Sequence, residues 1–275
     1  MRRVTFSFAF VCYLALVIFP HTALANESAN QLARQVVDQL MNIENDKASA
    51  SIQKLEQKYP DYPLLGFLKL APLWAKAEGS YDETVRRQTL QKGLKLLSHY
   101  IAQAESKIVK LPDSPEWRLS LGLSQAFKGL AYMRLGEYLN AYHFGRAGRD
   151  TLRSLINDNP NSEDAYFVLG FYEYHTGIVP FYLSWLTWII DLSGDQKLGL
   201  QYIHRAIDHA PILSPEATRL LLTQTATDPN NACERKELAH NMANRYPNNE
   251  QFPWLEKQFS RICPSHIIHV KGESS

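Results

Sequence analysis

Four consecutive residues, Tyr172–His175, combine side chains that can exchange protons. The Glu173 carboxylate beside two tyrosines and a histidine is a combination that general acid–base catalysis can use. Arg205 and Asp208 fall on the next predicted helix, and we expect them to lie near this cluster. We favour a structural interpretation, in which the cluster hydrogen-bonds to the segment that follows it. Catalysis is rare in arrays of helical hairpins, which the rest of the sequence predicts.

A second charged cluster consists of Arg146, Arg149, Asp150 and Arg153. Spacings of three and four residues place these side chains on one face of a helix, where they can pair with one another. The arginines could also hold a carboxylate from a partner peptide. We favour a solvated face with internal ion pairs, and keep Arg146 and Arg149 as candidate partner contacts.

The other chemistry-bearing residues are scattered. The chain has no His-Glu-x-x-His, Gly-x-Ser-x-Gly, phosphate-binding glycine loop or Cys-x-x-Cys pattern. His204 and His209 are five residues apart and do not share a helix face as a metal-binding pair would. His143 and His175 could approach each other, but structural roles explain them best. We therefore predict no catalytic residue, no metal and no cofactor, and a protein that is not an enzyme.

The N-terminus predicts export. Arg2 and Arg3 precede an apolar run from Val4 to Pro20 and a small-residue site that ends at Ala25, the pattern of a cleaved signal peptide. An uncleaved anchor is the alternative, but the run is marginal in length for a membrane span. We expect residues 1–25 to be removed and the protein to be periplasmic or secreted. The rest has 27 basic and 28 acidic side chains, a net charge of −1, which gives no electrostatic case for nucleic acid.

The remaining chain reads as one helix after another. Apolar residues recur at helical spacing, strand-like alternation is scarce, and proline, glycine, asparagine and aspartate punctuate the segments. Leu111–Pro115 is a clear break, where Ser114 is the expected N-cap and Pro115 the first helical residue. We predict an all-α fold of antiparallel helical hairpins over residues 26–265 and a disordered tail over 266–275.

Two segments carry the pattern of a repeat. The first has a Gly-x-x-Tyr pair and a Leu-Gly-x-Tyr-x-x-Ala turn, formed by Gly129, Tyr132, Leu135, Gly136, Tyr138 and Ala141. The second has Tyr166, Leu169 and Gly170, followed by Gly199, Ile203, Ala206 and Pro211. On these residues the chain resembles the tetratricopeptide repeat family, whose hairpin units are about 34 residues long. The resemblance implies an α-α superhelix of four or five hairpins. Gly129 and Gly145 would let helix backbones approach closely where they cross.

Two cysteines lie beyond the predicted signal peptide, Cys233 and Cys263. Residues 231–246 and 250–262 read as two helices joined by a turn at Pro247–Asn249. If the helices are antiparallel, the two thiols meet at the open end of the hairpin. We predict a disulfide there, which would stabilise the terminal hairpin by about 2–4 kcal/mol; two free buried thiols are the alternative.

The second repeat unit contains an apolar insertion. Gly170 and Gly199 are 29 residues apart, where the family pattern has about 12, a surplus of about 17. Ile178–Leu192 carries one charge, Asp191, and several aromatic residues, namely Phe181, Tyr182, Trp185 and Trp188. Filling the interior of the superhelix is the interpretation we favour. A lid over a bound ligand and a membrane-interface element remain alternatives.

These features predict an exported adaptor that binds an extended or helical segment of an envelope protein along its concave surface. A small-molecule or lipid-binding protein, with 178–192 as lid or membrane-interface element, is the alternative. The architecture is also similar, by analogy only, to the exported T components of some TRAP transporters. We expect a protein or peptide partner, a hydrophobic ligand in the alternative case, and at most peripheral membrane contact. The candidate contacts are Tyr174, His175, Phe181, Tyr182, Trp185, Trp188, Arg146 and Arg149.

Overall fold

The computed structural model describes residues 27–177, 194–224 and 231–263, and these ranges contain eleven α-helices and no strand. The all-α prediction is therefore confirmed. The segments 1–25 and 266–275 lie outside the described residues, so the signal peptide and the disordered tail remain predictions. The helices are α1 (27–41), α2 (Asn45–Lys58), α3 (Leu65–Glu78), α4 (Glu83–Lys110), α5 (Pro115–Arg134), α6 (Tyr138–Asp158), α7 (Asp164–Gly177), α8 (Gln196–His209), α9 (Ser214–Gln224), α10 (Ala232–Arg245) and α11 (Gln251–Ile262).

Consecutive helices pack against each other as hairpins, as predicted. The pairs α3–α4, α5–α6, α7–α8 and α10–α11 make the most extensive of these contacts, together with α4 against α5. In addition, α3 contacts α5, α5 contacts α7, and α7 contacts α9. These four helices therefore form an inner layer, against which α4, α6 and α8 pack from outside.

One apolar core runs along the array from Ala29 in α1 to Phe259 in α11. Its fully buried members include Leu65, Leu123 and Leu169, one from each of three successive inner helices. Burial of a leucine side chain contributes roughly 1.5–3 kcal/mol. Each hairpin therefore covers an apolar face of the next, and no hairpin buries its own face alone.

A close approach between α5 and α6 depends on Gly129. A Cβ atom on this residue would lie 2.6 Å from the backbone nitrogen of Gly145 and 2.9 Å from the carbonyl oxygen of Ala141. Both distances are too short for any side chain, which confirms the predicted close approach at Gly129. A Cβ atom on Gly145 would meet nothing within 4 Å, so Gly145 is not needed for it.

Asp82 and Ser114 show two different arrangements of an N-cap residue. Asp82 caps α4 by accepting from the amides of Thr84 (2.7 Å) and Val85 (3.2 Å). Ser114 occupies the N-cap position of α5, but its side chain caps no amide. Its hydroxyl instead donates to a carboxylate oxygen of Glu116 (2.8 Å). The predicted positions of Ser114 as the N-cap and of Pro115 as the first helical residue are confirmed, while the ionised carboxylate two residues along the chain takes the hydroxyl bond.

Helices α1 and α5 end with the same turn but with different residues in it. At the end of each helix, one residue has a positive φ. The backbone N–H of that residue donates to the carbonyl oxygen three residues earlier, and the N–H of the next residue donates to the carbonyl oxygen five residues before it. This is the Schellman arrangement, which favours glycine at the left-handed position. Gly136 fills that position after α5 with φ of 78°, whereas Ile43 fills it after α1 with φ of 58°.

We expect Ile43→Gly to raise the free energy of unfolding by about 1 kcal/mol. A left-handed conformation costs a residue with a Cβ roughly 1–2 kcal/mol, and the Ile43 side chain is 53% exposed, so little packing is lost. Urea denaturation followed by circular dichroism measures the change. Gly136→Ile is the reciprocal control and should destabilise the protein. A less stable Ile43→Gly variant would contradict this explanation.

The two ends of the array meet. The Asp38 carboxylate of α1 accepts from the Tyr246 hydroxyl (2.6 Å) and from Arg245 (2.9 Å) at the end of α10. The Asn249 amide group donates to the carbonyl oxygen of Met41 (2.8 Å). Asp38 and Tyr246 are 208 residues apart in sequence. The repeat pattern does not predict this joining of the first helix to the last hairpin.

The predicted disulfide is present. Cys233 near the start of α10 bonds Cys263 just after α11, with their Cα atoms 4.9 Å apart. The two helices are joined at 246–250, so the bond lies at the open end of the hairpin, away from the turn. The predicted pairing of Cys233 with Cys263 is therefore confirmed.

Candidate functional site

Side chains of the inner helices line a concavity of about 510 Å³, which we call the central groove. Helices α3, α5, α7 and α9 form most of it. The end of α1, the start of α2 and the α10–α11 turn complete it. Its main apolar side chains are Phe67, Leu70, Trp74, Phe127, Phe171 and Leu220.

Three aromatic rings form one wall of the groove, which we call the aromatic wall. Phe127 packs edge-on against Phe67, with ring centroids 5.2 Å apart, and against Trp74 at 5.7 Å. All three side chains are only partly buried. Edge-to-face packing holds aromatic rings in defined positions, so this apolar surface is fixed in place while remaining accessible.

The aromatic wall follows from the sequence of α3. Phe67, Ala71, Trp74 and Glu78 are spaced by four, three and four residues, which places them along one face of the helix. Leu65 and Leu68, on another face, belong to the buried core. A helix with two apolar faces has more apolar surface than one core contact can cover. The second apolar face of α3 is visible in the sequence and could have predicted this wall, which the sequence-based prediction did not include.

The charged groups that line the groove are paired with each other. Glu78 bonds Arg134 (2.9 Å) across the ends of α3 and α5, and Glu216 bonds Arg219 (2.9 Å) on α9. Among the described residues these are the four charged side chains of the lining. The other polar side chains at the edge are uncharged, namely Asn45, Thr223, Gln224, Asn249 and Gln251. The groove is therefore apolar and electrically neutral.

A larger cleft lies between α1, α2 and the end of α10, with a volume of about 820 Å³. Its walls carry mainly polar and charged side chains, including Gln31, Gln35, Asp38, Lys54 and Lys58. Water can hydrogen-bond to these polar groups, so the cleft is stable when it is filled with water. Covering the apolar lining of the central groove with a ligand is instead favourable, because it removes apolar surface from water. The central groove is therefore the better candidate for a binding site.

Of the predicted contacts Tyr174 and His175, only His175 packs against a residue of the groove lining. Tyr174 is buried between α7 and α8, where its backbone nitrogen would lie 2.4 Å from a Cβ atom on Gly199. The His175 ring lies 4.3 Å from that of Phe171, which lines the groove. Burial lowers the pKa of His175 below its usual value, and its Nε2 atom has no hydrogen-bond partner among the described residues. His175 therefore packs against Phe171, and its burial favours the neutral imidazole.

Arg146 and Arg149 differ from each other in their surroundings. Arg146 is exposed and lies 3.6 Å from Asp150, as expected for a solvated face. Arg149 is 4% exposed, bonds Asp150 (2.8 Å) and donates to the Tyr172 hydroxyl (3.0 Å). The solvated-face interpretation is therefore wrong for Arg149, because α7 packs over that side of α6.

The Tyr172–His175 cluster does not meet Arg205. Glu173 pairs with Arg153 of α6 and accepts from the Asp195 amide (3.2 Å). Arg205 instead bonds Glu163 (2.8 Å) at the start of α7. The expected proximity is wrong because α8 runs antiparallel to α7, so the end of α7 faces the start of α8. Glu173 thus bonds the preceding helix and the start of α8, and the predicted bonds to segment 178–192 stay a prediction because that segment lies outside the described residues.

The remaining candidate contacts, Phe181, Tyr182, Trp185 and Trp188, lie outside the described residues. The three interpretations of segment 178–192 therefore stay predictions. Within the described ranges, no group of three His, Cys, Asp or Glu side chains is placed to hold a metal ion. No helix in these ranges combines the length and the apolar character needed to cross a membrane.

Comparison with known proteins identifies no relative of this chain. The chain matches no protein-family model, no curated protein and no solved structure. The central groove is therefore the feature from which its function is inferred.

Proposed function

We propose that this protein is an exported adaptor that binds an apolar segment of another protein in the central groove. The observation that carries the proposal is the groove itself, an apolar concavity whose charged neighbours are already paired. Arrays of helical hairpins commonly use concave surfaces of this kind for binding. Membership of the tetratricopeptide-like proteins and export to the periplasm belong to the same proposal, and we expect the partner to be an envelope protein.

The lining favours a partner segment with aromatic or branched apolar side chains and few charges. Such side chains would remove the aromatic wall from water, which contributes roughly 25 cal/mol per Å². A charged side chain would lose its hydration without gaining a partner, because Glu78–Arg134 and Glu216–Arg219 satisfy each other. The exposed amides of Asn45, Gln224 and Gln251 can exchange hydrogen bonds with the partner's backbone.

Selection of peptides from a random phage-displayed library, followed by calorimetry, tests the proposal. Selected peptides should be rich in apolar residues. Ala75 is exposed and lines the groove, so Ala75→Trp should fill part of the groove and weaken binding at least about tenfold, equivalent to about 1.4 kcal/mol. The matched control is Ala102→Trp, which places the same side chain at an exposed alanine of α4 outside the groove.

Retention of full affinity by Ala102→Trp together with its loss in Ala75→Trp would support the groove as the binding site. Two results would overturn the proposal. One is a library that yields no peptide with measurable affinity. The other is a set of peptides whose affinity is the same for both variants, because the peptides would then bind elsewhere.

A small apolar or lipidic ligand is the second candidate, and the size of the groove favours it. A volume of about 510 Å³ falls within the roughly 300–1,000 Å³ of small-molecule sites. Organic extraction of the purified protein followed by mass spectrometry should then find a bound lipid or apolar molecule, and Ala75→Trp should lack it. The interpretation of 178–192 as a lid or membrane element concerns residues outside the described ranges and does not enter this candidate.

A further inference from the structure

We propose that the hairpin α10–α11 is a clasp that closes the central groove, and that its disulfide controls how tightly the groove holds an apolar ligand. The inference rests on the proposed function, since it takes the central groove to be the binding site. The hairpin touches α1 and the groove at its turn, and the disulfide ties it at its opposite end.

Hydrogen bonds between the hairpin and the end of α1 come from the turn and the last residue of α10. In addition to the bonds made by Asp38, the Asn248 amide donates to the side-chain oxygen of Asn42 (3.0 Å). Asn249 is 8% exposed, and while its Nδ2 atom binds α1, its Oδ1 atom accepts from the Gln251 amide (3.1 Å). One buried side chain therefore both orders the start of α11 and fastens it to α1.

The residues of this attachment also belong to the groove. Met41 on the α1 side, and Asn249 and Gln251 on the hairpin side, all line it. Separation of the turn from α1 would remove this part of the lining and admit water beside the apolar side chains. A ligand in the groove would lose contacts at the same moment, so its affinity depends on the clasp being closed.

Core packing of Phe252, Leu255 and Phe259 holds α11 in the array, and the disulfide adds a covalent restraint at the open end of the hairpin. Helices α10 and α11 have 14 and 12 residues, lengths at which isolated helices are marginal. Among α2–α11, the contacts of α11 are mainly with α10. The bond between Cys233 and Cys263 joins the ends that lie farthest from the turn. Without it, packing alone holds the open end of the hairpin, so we expect that end to fray more readily, and the loosening to reach the clasp.

The controlling reaction is thiol–disulfide exchange with a dithiol reductant. One thiolate of the reductant attacks a sulfur of the Cys233–Cys263 bond, and the second closes the reductant into its own disulfide. The S–S bond of the protein is reduced to two thiols, and the dithiol is oxidised by the same two electrons. The change is reversible, because an oxidised dithiol can restore the bond.

Two measurements on the full protein test the clasp. The affinity of N-phenyl-1-naphthylamine, a neutral apolar fluorophore, reports on the groove, and amide hydrogen exchange at Asn248 and Asn249 reports on the turn. We expect the Cys233→Ser/Cys263→Ser variant, and the native protein treated with dithiothreitol, to bind the fluorophore about tenfold more weakly. Exchange at the two amides should accelerate at least about tenfold, with amides in α5 and α6 unchanged as the reference.

Three controls make the outcome specific. Dithiothreitol should have no further effect on the double serine variant. Asn42→Ala, which removes one clasp bond and leaves the disulfide, should weaken fluorophore binding by about threefold. This variant also keeps the inference testable if loss of the disulfide unfolds the whole chain. Ala75→Trp should abolish fluorophore binding if the fluorophore occupies the groove.

The results separate the clasp from the binding site. Fluorophore binding that survives Ala75→Trp would count against the groove as the site and hence against the proposed function. Exchange rates at Asn248 and Asn249 that are unaffected by loss of the disulfide would overturn the clasp. Faster exchange with unchanged fluorophore affinity would overturn the control of the groove by the disulfide.

Discussion

Gly129→Ala is expected to lower the free energy of unfolding by about 2 kcal/mol, although alanine favours helix formation over glycine by about 1 kcal/mol. The new methyl carbon would lie 2.6 Å from the backbone nitrogen of Gly145. Backbone atoms cannot turn aside as a flexible side chain can, so α5 and α6 would have to separate. Because these two helices pack along much of their length, that separation would disturb their shared contacts.

Gly145→Ala is the matched control on the facing helix. A methyl carbon there meets nothing within 4 Å, so the gain in helix propensity should raise the free energy of unfolding by up to about 1 kcal/mol. Urea denaturation followed by circular dichroism compares the two variants with the native protein. If Gly129→Ala also stabilised the protein, the close approach of α5 and α6 would be contradicted.

The second large effect is a dependence of the free energy of unfolding on pH, caused by the buried carboxyl of Asp164. Burial raises the pKa of this carboxyl to about 6, although its bonds from the amides of Leu213 (2.8 Å) and Ile212 (3.1 Å) oppose the shift. The folded protein therefore binds the proton more tightly than the unfolded chain, in which the pKa is 3.8. The stability that protonated Asp164 contributes is fully present below about pH 4 and is lost as the pH rises through about 6. The free energy of unfolding should fall by up to about 3 kcal/mol over this range.

Asp164→Asn should remove this pH dependence. The side-chain amide stays neutral, and its oxygen can still accept from both backbone amides. Urea denaturation between about pH 4 and pH 7 should find the variant more stable than the native protein at neutral pH, with the difference shrinking in acid. A difference that stays constant over this range would contradict the assignment.

The neighbouring Glu163 provides a control of opposite sign. Its hydrogen bond to Arg205 lowers the pKa of its carboxyl, with burial opposing the shift. The stability it contributes is present above its unfolded pKa and is lost as the pH falls through the lower folded value. Glu163→Gln should therefore be less stable than the native protein at neutral pH, and this difference should shrink in acid.

The local elements of the fold could be predicted from sequence because each depends on residues that are near one another in the chain. Helical spacing of apolar residues, the break before Pro115 and the turn at Gly136 act within one or two helical turns. The bond between Cys233 and Cys263 joins two adjacent helices, so a single assumption about their direction was enough to place it. Ser114 occupies its predicted N-cap position, although Glu116, two residues away, accepts its hydroxyl bond.

The candidate site could not be predicted in the same way, because it depends on how different hairpins meet. The aromatic wall needs Phe67 and Trp74 of α3 beside Phe127 of α5. Arg149 lies on a helix face that looks solvated in sequence, and it is buried where α7, including Tyr172, packs against α6. Helical periodicity gives the direction of a side chain around its own helix, but not which other helix covers it.

By itself, the sequence determined an all-α chain of hairpins, their approximate limits and the disulfide of the last one. The tertiary structure alone decided that the inner helices leave an apolar groove, that its charges are paired, and that α1 holds the final turn. Interactions such as that of Asp38 with Tyr246 join residues 208 positions apart. No local pattern encodes such a pairing, since it results from the packing angles of every hairpin that lies between the two residues.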